Sequence, residues 1–472
     1  MDPTEQRVND LIVQGHWAQA LSLIETWPEQ PFTLWVRANY LLQDCGDDAG
    51  AEVLLRRLLA SPGCPDQVHL RLGKALHGQD RVAEALHHYL QAVLACRRQP
   101  GAGFEHAVNA YGLACLELGL HQHWLDVLQR LDDGLQPLPM CAYLAAMAHL
   151  SLDQWRSGWA LLEQREPWFH RQDGFSCPFW QGQVLEPGAT VLISSDMGIG
   201  DFLFFLRFVP ELLHRHASLR LVLLVPPALK QLALVTDLFD QIVTDASQLS
   251  QRFPWQLRLA SLPALLGVEQ PDHFPKSDYL QVPETARSAW SDLASASARA
   301  RPLVAINWAG NRAAESPGLT VRGRSLSLDQ IASIPALHQV DLISVQVGAE
   351  PSVLQSSLAH CCHPVQRRFD GSEPDLIDTA AVLSHCDLLI TNDTSVAHLG
   401  GALGRPTWVM LKRHPSWQWG EEGSTPWYGS VRCFRQHRAF DWTGVMVDVD
   451  QALAVWLRDW HRRRGIPESP GP

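Results

Sequence analysis

The feature that most constrains this chain is a change of pattern near residue 189 of its 472. Upstream, apolar residues recur at helical spacing and nothing reads as a strand. Downstream, short apolar runs alternate with helical stretches. "TVLIS", "RLVLLV", "DQIVTD" and "WQLRLA" form one series, with "DFLFFLRFVPELLHRH" and "PALKQLALVTDLF" between some of them. A polar, Ala/Ser-rich helix is expected near 284–300. A second series follows: "LVAINWA", "DLISVQVG", "CDLLIT" and "TWVML". Short apolar strands separated by helices predict parallel sheets covered on both faces. Two series in tandem predict two Rossmann-like halves facing a cleft. The expected division is a helical domain over 1–165, a connector over 166–188, an α/β half over 189–298, a second over 299–465 and a disordered tail over 466–472.

The helical part carries a weak repeat. Aligning small or packing residues within apolar helical stretches places Ala20, Gly50, Ala85, Trp124 and Gly158 in register, with successive differences of 30, 35, 39 and 34 residues. These scatter around the period of about 34 residues that marks a tetratricopeptide array. The best copy is "HLRLGKALHGQDRVAEALHHYLQAVL", where Leu72, Gly73, Leu76, Ala85, Tyr89 and Ala92 fall at that repeat's packing positions. An unrelated helical bundle is the plain alternative. The connector "EPWFHRQDGFSCPFWQGQVLEPG" has no periodicity, and its aromatics are costly to leave in water, so it is expected to be packed.

Composition excludes some classes. A formal charge of −12 argues against a general nucleic-acid binder. The run "RDWHRRRG" is a local exception, read as a solvated helix end. No apolar run reaches membrane-spanning length before Pro or charge breaks it. Ten cysteines without CxxC spacing read as reduced thiols of a cytoplasmic protein. His121/His123 and His214/His216 lack companions at metal-site spacing. "DVD" at 448–450 directly precedes a helical stretch, so Asp450 is read as a helix N-cap.

In open parallel sheets ligands bind beyond the C-terminal ends of strands, and four loops lie there. In "SSDMGIGDFLFF", Gly198 and Gly200 permit close backbone approach, and Asp201 opens a helix, where it could be only an N-cap. In "NWAGNRAAESPGLTVRGRSLSL", Trp308 and Asn311 follow a strand, and Arg312, Arg322 and Arg324 could clamp phosphate or simply be solvated. In "SVQVGAE", Gln346 and Gly348 could reach a nucleoside. The fourth is "DLLITNDTSVAHLGGALGRPTWVML". Asp393 is expected as N-cap and Gly404 as the left-handed residue that ends the helix. That helix start attracts anions, with Thr394 and Ser395 hydroxyls as further donors and His398 one turn in. A lone His on a helix is often structural; its spacing from Thr394 is what suggests function.

From these segments the chain resembles tetratricopeptide-repeat proteins with a C-terminal domain akin to the heptosyltransferases (glycosyltransferase family 9). The matching stretches are "GIGDFLFFLRFVP", "SLPALLG", "NWAGN", "RSLSL", "ISVQVG", "DTAAVLSHCDLLITNDTSVAHLGGALGRPTWVML" and "PWYGSVRCFRQ", in the family's order across about 180–450. The resemblance implies an all-α array followed by a GT-B fold, with a nucleotide-sugar in the cleft and no metal or other cofactor. It implies Asp201 as catalytic base, Asp393, Thr394, Ser395 and His398 in the donor-phosphate motif, and Arg324 near a basic donor-binding position. Relatives often carry Ala where this chain has Gly400. The implied activity is transfer of a sugar from a nucleotide-sugar to a hydroxyl, on a protein recruited by the repeats. Two alternatives stand beside it: a non-catalytic scaffold with a degenerate transferase domain, and a protein-modifying transferase like the O-linked N-acetylglucosamine enzymes.

Overall fold

Among the described residues of this computed structural model, helices alone carry the first third of the chain, and strands begin at Thr190. The described residues are 3–465 apart from 63, 66, 98–101, 132–138, 166–176, 250–252, 295–300, 313–314, 316–321, 348–352, 354–355, 360–361, 365–375 and 421–422. The first part of the expected connector, the end of the polar helix, Gly348 and the expected tail therefore lie outside them. The structure divides into two compact units, 1–148 with 316–322, and 149–315 with 323–472.

In the first unit α1 (Pro3–Val13), α2 (Trp17–Leu23), α3 (Pro31–Tyr40), α4 (Asp48–Leu59), α5 (Val68–Gly78), α6 (Val82–Cys96), α7 (Ala102–Glu117) and α8 (His121–Leu131) each pack on the next. Absent side chains set the close approaches. A Cβ on Gly73 would come within 2.5 Å of the Tyr89 ring, and one on Gly112 within 2.6 Å of Trp124. Leu72, Leu76, Ala85, Tyr89 and Ala92 are all buried. In α4 the buried small residue is Ala51. Gly50, expected to pack there, instead sits in the first turn, where the Asp47 carboxylate accepts its amide at 2.9 Å. One buried polar group inside the stack is paired twice: His77 bonds Glu117 at 2.8 Å and Tyr89 at 3.1 Å. Arg322, for which a phosphate clamp or a solvated loop stood open, belongs to this unit. Its guanidinium donates to Asp80 at 2.5 Å and to the Gly78 carbonyl at 3.2 Å, so its charge is already met.

After α9 (Pro139–Ser151), which crosses the boundary, α10 (Trp155–Leu162) lies in the second unit. Its two tryptophans leave the helical array and join an aromatic cluster. Trp155 meets Trp427 edge-on at 5.3 Å, Trp159 meets Trp417 at 5.2 Å, and Phe204 lies 5.0 Å from both Trp417 and Trp427. Such edge-to-face pairs add to burial rather than merely filling space.

The second unit holds two all-parallel sheets. β1 (Thr190–Ser194), β2 (Arg220–Leu224), β3 (Gln241–Val243) and β4 (Trp255–Arg258) stand in the order β3-β2-β1-β4. β5 (Leu303–Ile306), β6 (Asp341–Ser344), β7 (Cys362–Pro364), β8 (Leu388–Asn392), β9 (Thr407–Leu411) and β10 (Val431–Arg435) stand in the order β10-β9-β8-β5-β6-β7. That is the doubly wound order of a dinucleotide-binding sheet, and it reverses between β5 and β8. β5, β8 and β9 are buried along their whole length, as parallel strands covered on both faces must be. The last helix, α14 (Thr443–Arg464), packs Val445, Val449, Leu453 and Leu457 into the core of this sheet. It runs straight through Asp450. That residue is not an N-cap; its carboxylate accepts the Ala336 amide at 2.8 Å.

Candidate functional site

Chain reversal puts two loops side by side at the switch point of the second sheet: that after β5 and that after β8. The β8 loop runs into α13 (Ser395–Ala402). Its N-cap is Thr394, in extended conformation, rather than the expected Asp393, which lies one residue too early to cap the first turn. Gly404 has the left-handed φ of 64° expected of it. Thr391 and Thr394 hydroxyls both donate to Asn307 Oδ1 at 3.2 Å, and Asn307 Nδ2 donates to Gln346 Oε1 at 2.9 Å. Gln346 Oε1 also accepts the Trp308 and Ala309 amides at 3.1 and 2.8 Å. Gln346 thus ties the β6 end to the loop after β5, a role local sequence did not suggest. Trp308 turns its ring into the sheet core beside Leu326 instead of toward a ligand.

Arg324 and Asn392 close the rim. Asn392 Nδ2 donates to the Arg324 carbonyl at 2.9 Å, and its Oδ1 is buried with no partner among the described residues. The Arg324 side chain, one-fifth exposed, lies 3.6 Å from Glu315. It also passes so close to Gly310 that a Cβ there would sit 2.9 Å from its Nη2. Ser395 is half-buried at the first position of α13, and Asn311 is exposed. Arg312 donates to the Leu326 carbonyl at 2.9 Å.

The first sheet supplies the facing loop. Between β1 and β4, its own switch point, the chain turns at Gly198 into α11 (Ile199–Phe205), which α12 (Val209–Arg215) follows. Asp201 is the third residue of that helix, not its N-cap. Its Oδ2 accepts the Gly198 amide at 3.1 Å, and Gln418 donates to Oδ1 at 3.4 Å. Burial pushes the Asp201 carboxyl up to about 6. The Gly198 amide opposes that, while Asp196 and Asp393 add to it and Arg324 opposes it. α11 packs on α13, and Gly200 sets how closely. A Cβ there would come 2.8 Å from the His398 ring and 3.6 Å from the Ser395 backbone. Asp201 therefore lies beside the start of α13, bringing the two sheets' loops together.

His398 is buried, its ring 4.8 Å from Trp419 and its Nδ1 2.8 Å from the Tyr428 hydroxyl. Burial, with Arg207 and Arg324 acting in the same sense, drives its pKa down to about 3. Asp393 is raised by burial and held back by Arg324. Several residues that shape this region carried no local signal. Asp196 is buried, with Arg165 donating to its Oδ2 at 2.8 and 2.7 Å. Gln418, Trp419 and Tyr428 arrive from the far end of the chain. Among the described residues no group of three or more His, Cys, Asp or Glu could hold a metal ion.

No known protein-family model matches the chain. It is 26% identical to Protein FlbA of Caulobacter vibrioides over 375 residues, which are 74% of this chain and 61% of that protein. The chain thus spans less than two thirds of that relative's length. Among solved structures it is similar to the glycosyl transferase family 9 protein from Veillonella parvula, at 11% identity and TM-score 0.42 over 58% of this chain and 99% of that one. It is likewise similar to E. coli ADP-heptose heptosyltransferase II, at 12% identity and TM-score 0.40 over 57% and 99%. The Thermobaculum terrenum O-GlcNAc transferase matches at 15% identity and TM-score 0.30 over 97% and 94%.

Proposed function

We propose that the second unit is a glycosyltransferase that moves a sugar from a nucleotide-sugar to an acceptor hydroxyl. The observation that carries this reading is the meeting of α11 and α13, which sets the Asp201 carboxylate beside a helix N-terminus at a sheet switch point. At pH 7 a carboxyl with a pKa near 6 is mostly ionised yet more basic than an ordinary Asp, which suits a general base. Asp201 takes the proton of the acceptor hydroxyl. The freed oxygen pair bonds the sugar's anomeric carbon as that carbon's bond to the diphosphate breaks. The diphosphate leaves with those electrons toward Arg324, the Ser395 hydroxyl and the first amides of α13, donors already oriented for negative charge. The helical unit, a tetratricopeptide-like array in this reading, recruits a protein or peptide acceptor, since stacked hairpins offer an extended binding face.

Burial of Thr394, Asp393 and His398, and the internal bonds of Thr394 and His398, favour a second reading: a binding module that keeps the fold without turnover. Incubating the pure protein with a nucleotide-sugar panel separates the two. The enzyme reading expects slow donor hydrolysis that falls at least about 10²-fold in Asp201→Asn, with donor affinity nearly intact. Binding without any hydrolysis or transfer would favour the module.

A further inference from the structure

A buried cation stands behind the histidine of this site and bears on which of its nitrogens holds the proton. Arg207 is 1% exposed. Its guanidinium donates to the Phe204 carbonyl at 2.9 Å, the Trp427 carbonyl at 2.6 Å and the Tyr279 hydroxyl at 3.0 Å. It also lies 4.5 Å over the Tyr428 ring. Tyr279 has spent its own hydrogen on the Leu203 carbonyl, at 3.0 Å. A guanidinium has five N–H donors and no acceptor. Arg207 and Tyr279 both flank the Tyr428 hydroxyl, and the cation favours hydroxyl lone pairs turned toward it. The Tyr279 oxygen already accepts from Arg207, whereas His398 Nδ1, 2.8 Å from the Tyr428 hydroxyl, has no such donor, so it is the acceptor assigned to that O–H.

We propose that Tyr428, oriented by Arg207, is a positioning residue that makes His398 Nδ1 an acceptor, so that Nε2 carries the ring's single proton. The ring is fixed against rotation by Trp419 at 4.8 Å and by the edge of Phe204 at 6.3 Å. Nε2 lies toward Gly200, where a Cβ would stand 3.4 Å from it, so the glycine's missing side chain leaves that N–H room. With Arg207 and Arg324 both opposing a charge on the ring, His398 meets an anion as a neutral donor, never as a counter-ion. The proton's position rests on the geometry alone; its use toward a diphosphate rests on the reading under Proposed function.

The test is a nitrogen–proton correlation spectrum of the full chain with labelled histidine at pH 7.5, His398 being assigned by its loss in His398→Gln. The expected pattern is a protonated Nε2 and an unprotonated Nδ1, moving toward protonated Nδ1 in Tyr428→Phe. A protonated Nδ1 in the unaltered chain overturns the proposal, as does a tautomer that Tyr428→Phe leaves unmoved. Should Tyr428→Phe not fold, the unaltered chain's spectrum decides by itself. Calorimetry with inorganic pyrophosphate reads the second half, with affinity expected to fall about fivefold in Tyr428→Phe for one weakened neutral hydrogen bond. If the tautomer is as expected and pyrophosphate never binds, the diphosphate reading fails while the tautomer assignment stands.

Discussion

Asp201 and His398 have opposite pH signatures. The folded Asp201 carboxyl holds its proton up to about pH 6, whereas an unfolded Asp releases it near 4, so its contribution to stability falls as pH rises through that window. Asp201→Asn keeps the oxygen that accepts the Gly198 amide and removes the buried charge. It should raise stability at pH 7 by about 1–2 kcal/mol after allowing for partial exposure, and by less at pH 4.5, as thermal melts at the two pH values would report. Transfer by the unaltered protein should rise through pH 6 and level off, because only the ionised carboxylate accepts a proton. His398 runs the other way. The unfolded ring takes up a proton below about 6.5 that the native ring refuses down to about 3, so this residue destabilises the fold as pH falls through that range. Thr394→Ala should cost about 1 kcal/mol of stability in denaturant titration, because its hydroxyl is buried on Asn307. The residue types of the site were legible in sequence, since "GIGD" and "NDTSVAH" sit where loops must fall. Their partners were not. Gln418 reaches Asp201 and Tyr428 reaches His398 from far along the chain, and no local pattern encodes that.

Among the elements, eight of the ten strands in the described residues were readable as short apolar runs. The two that were not, β7 and β10, are edge strands. β7 has only three residues, and β10 interrupts its apolar positions with the exposed Arg432, so neither gives the run that marks a strand buried on both faces. Helix ends were harder: Asp201 bonds the N-cap amide from the third position of its helix rather than capping it, and Asp450 lies inside a helix and is bonded elsewhere. Gly400 shows how tightly α13 lies on its sheet. A Cβ there would meet Thr407 Oγ1 and stand 2.8 Å from Leu389 Cδ2. The Ala often found at this position in the resembled family therefore does not fit this chain unaltered. Gly400→Ala should destabilise by about 1–3 kcal/mol as an overpacked core does, and Gly400→Ala with Thr407→Ala, which removes the Oγ1 that the new Cβ would meet, should recover part of it in thermal melts.

For the whole molecule the boundary matters most. Helical periodicity continues unbroken from α9 into α10, which is why the sequence suggested an array ending near 165. The compact division falls instead at 148/149, because Trp155, Trp159 and Arg165 find their partners in the α/β unit. Deleting 1–165 would strip two rings from the aromatic cluster and leave Asp196 buried without Arg165, a loss of about 3–5 kcal/mol from the charge alone. Deleting only 1–148 keeps all of these. Gel filtration and circular dichroism should find the shorter deletion folded and the longer one aggregated or unstable. The central claim, that the β8–α13 turn holds a nucleoside diphosphate, is tested most directly by calorimetric titration of the full chain with a panel of nucleoside diphosphates. Arg324→Gln should weaken any binding at least about tenfold, as loss of a charged hydrogen bond does, with an unchanged melting temperature. No binding of any diphosphate by the unaltered chain, or binding that Arg324→Gln leaves intact, would contradict it.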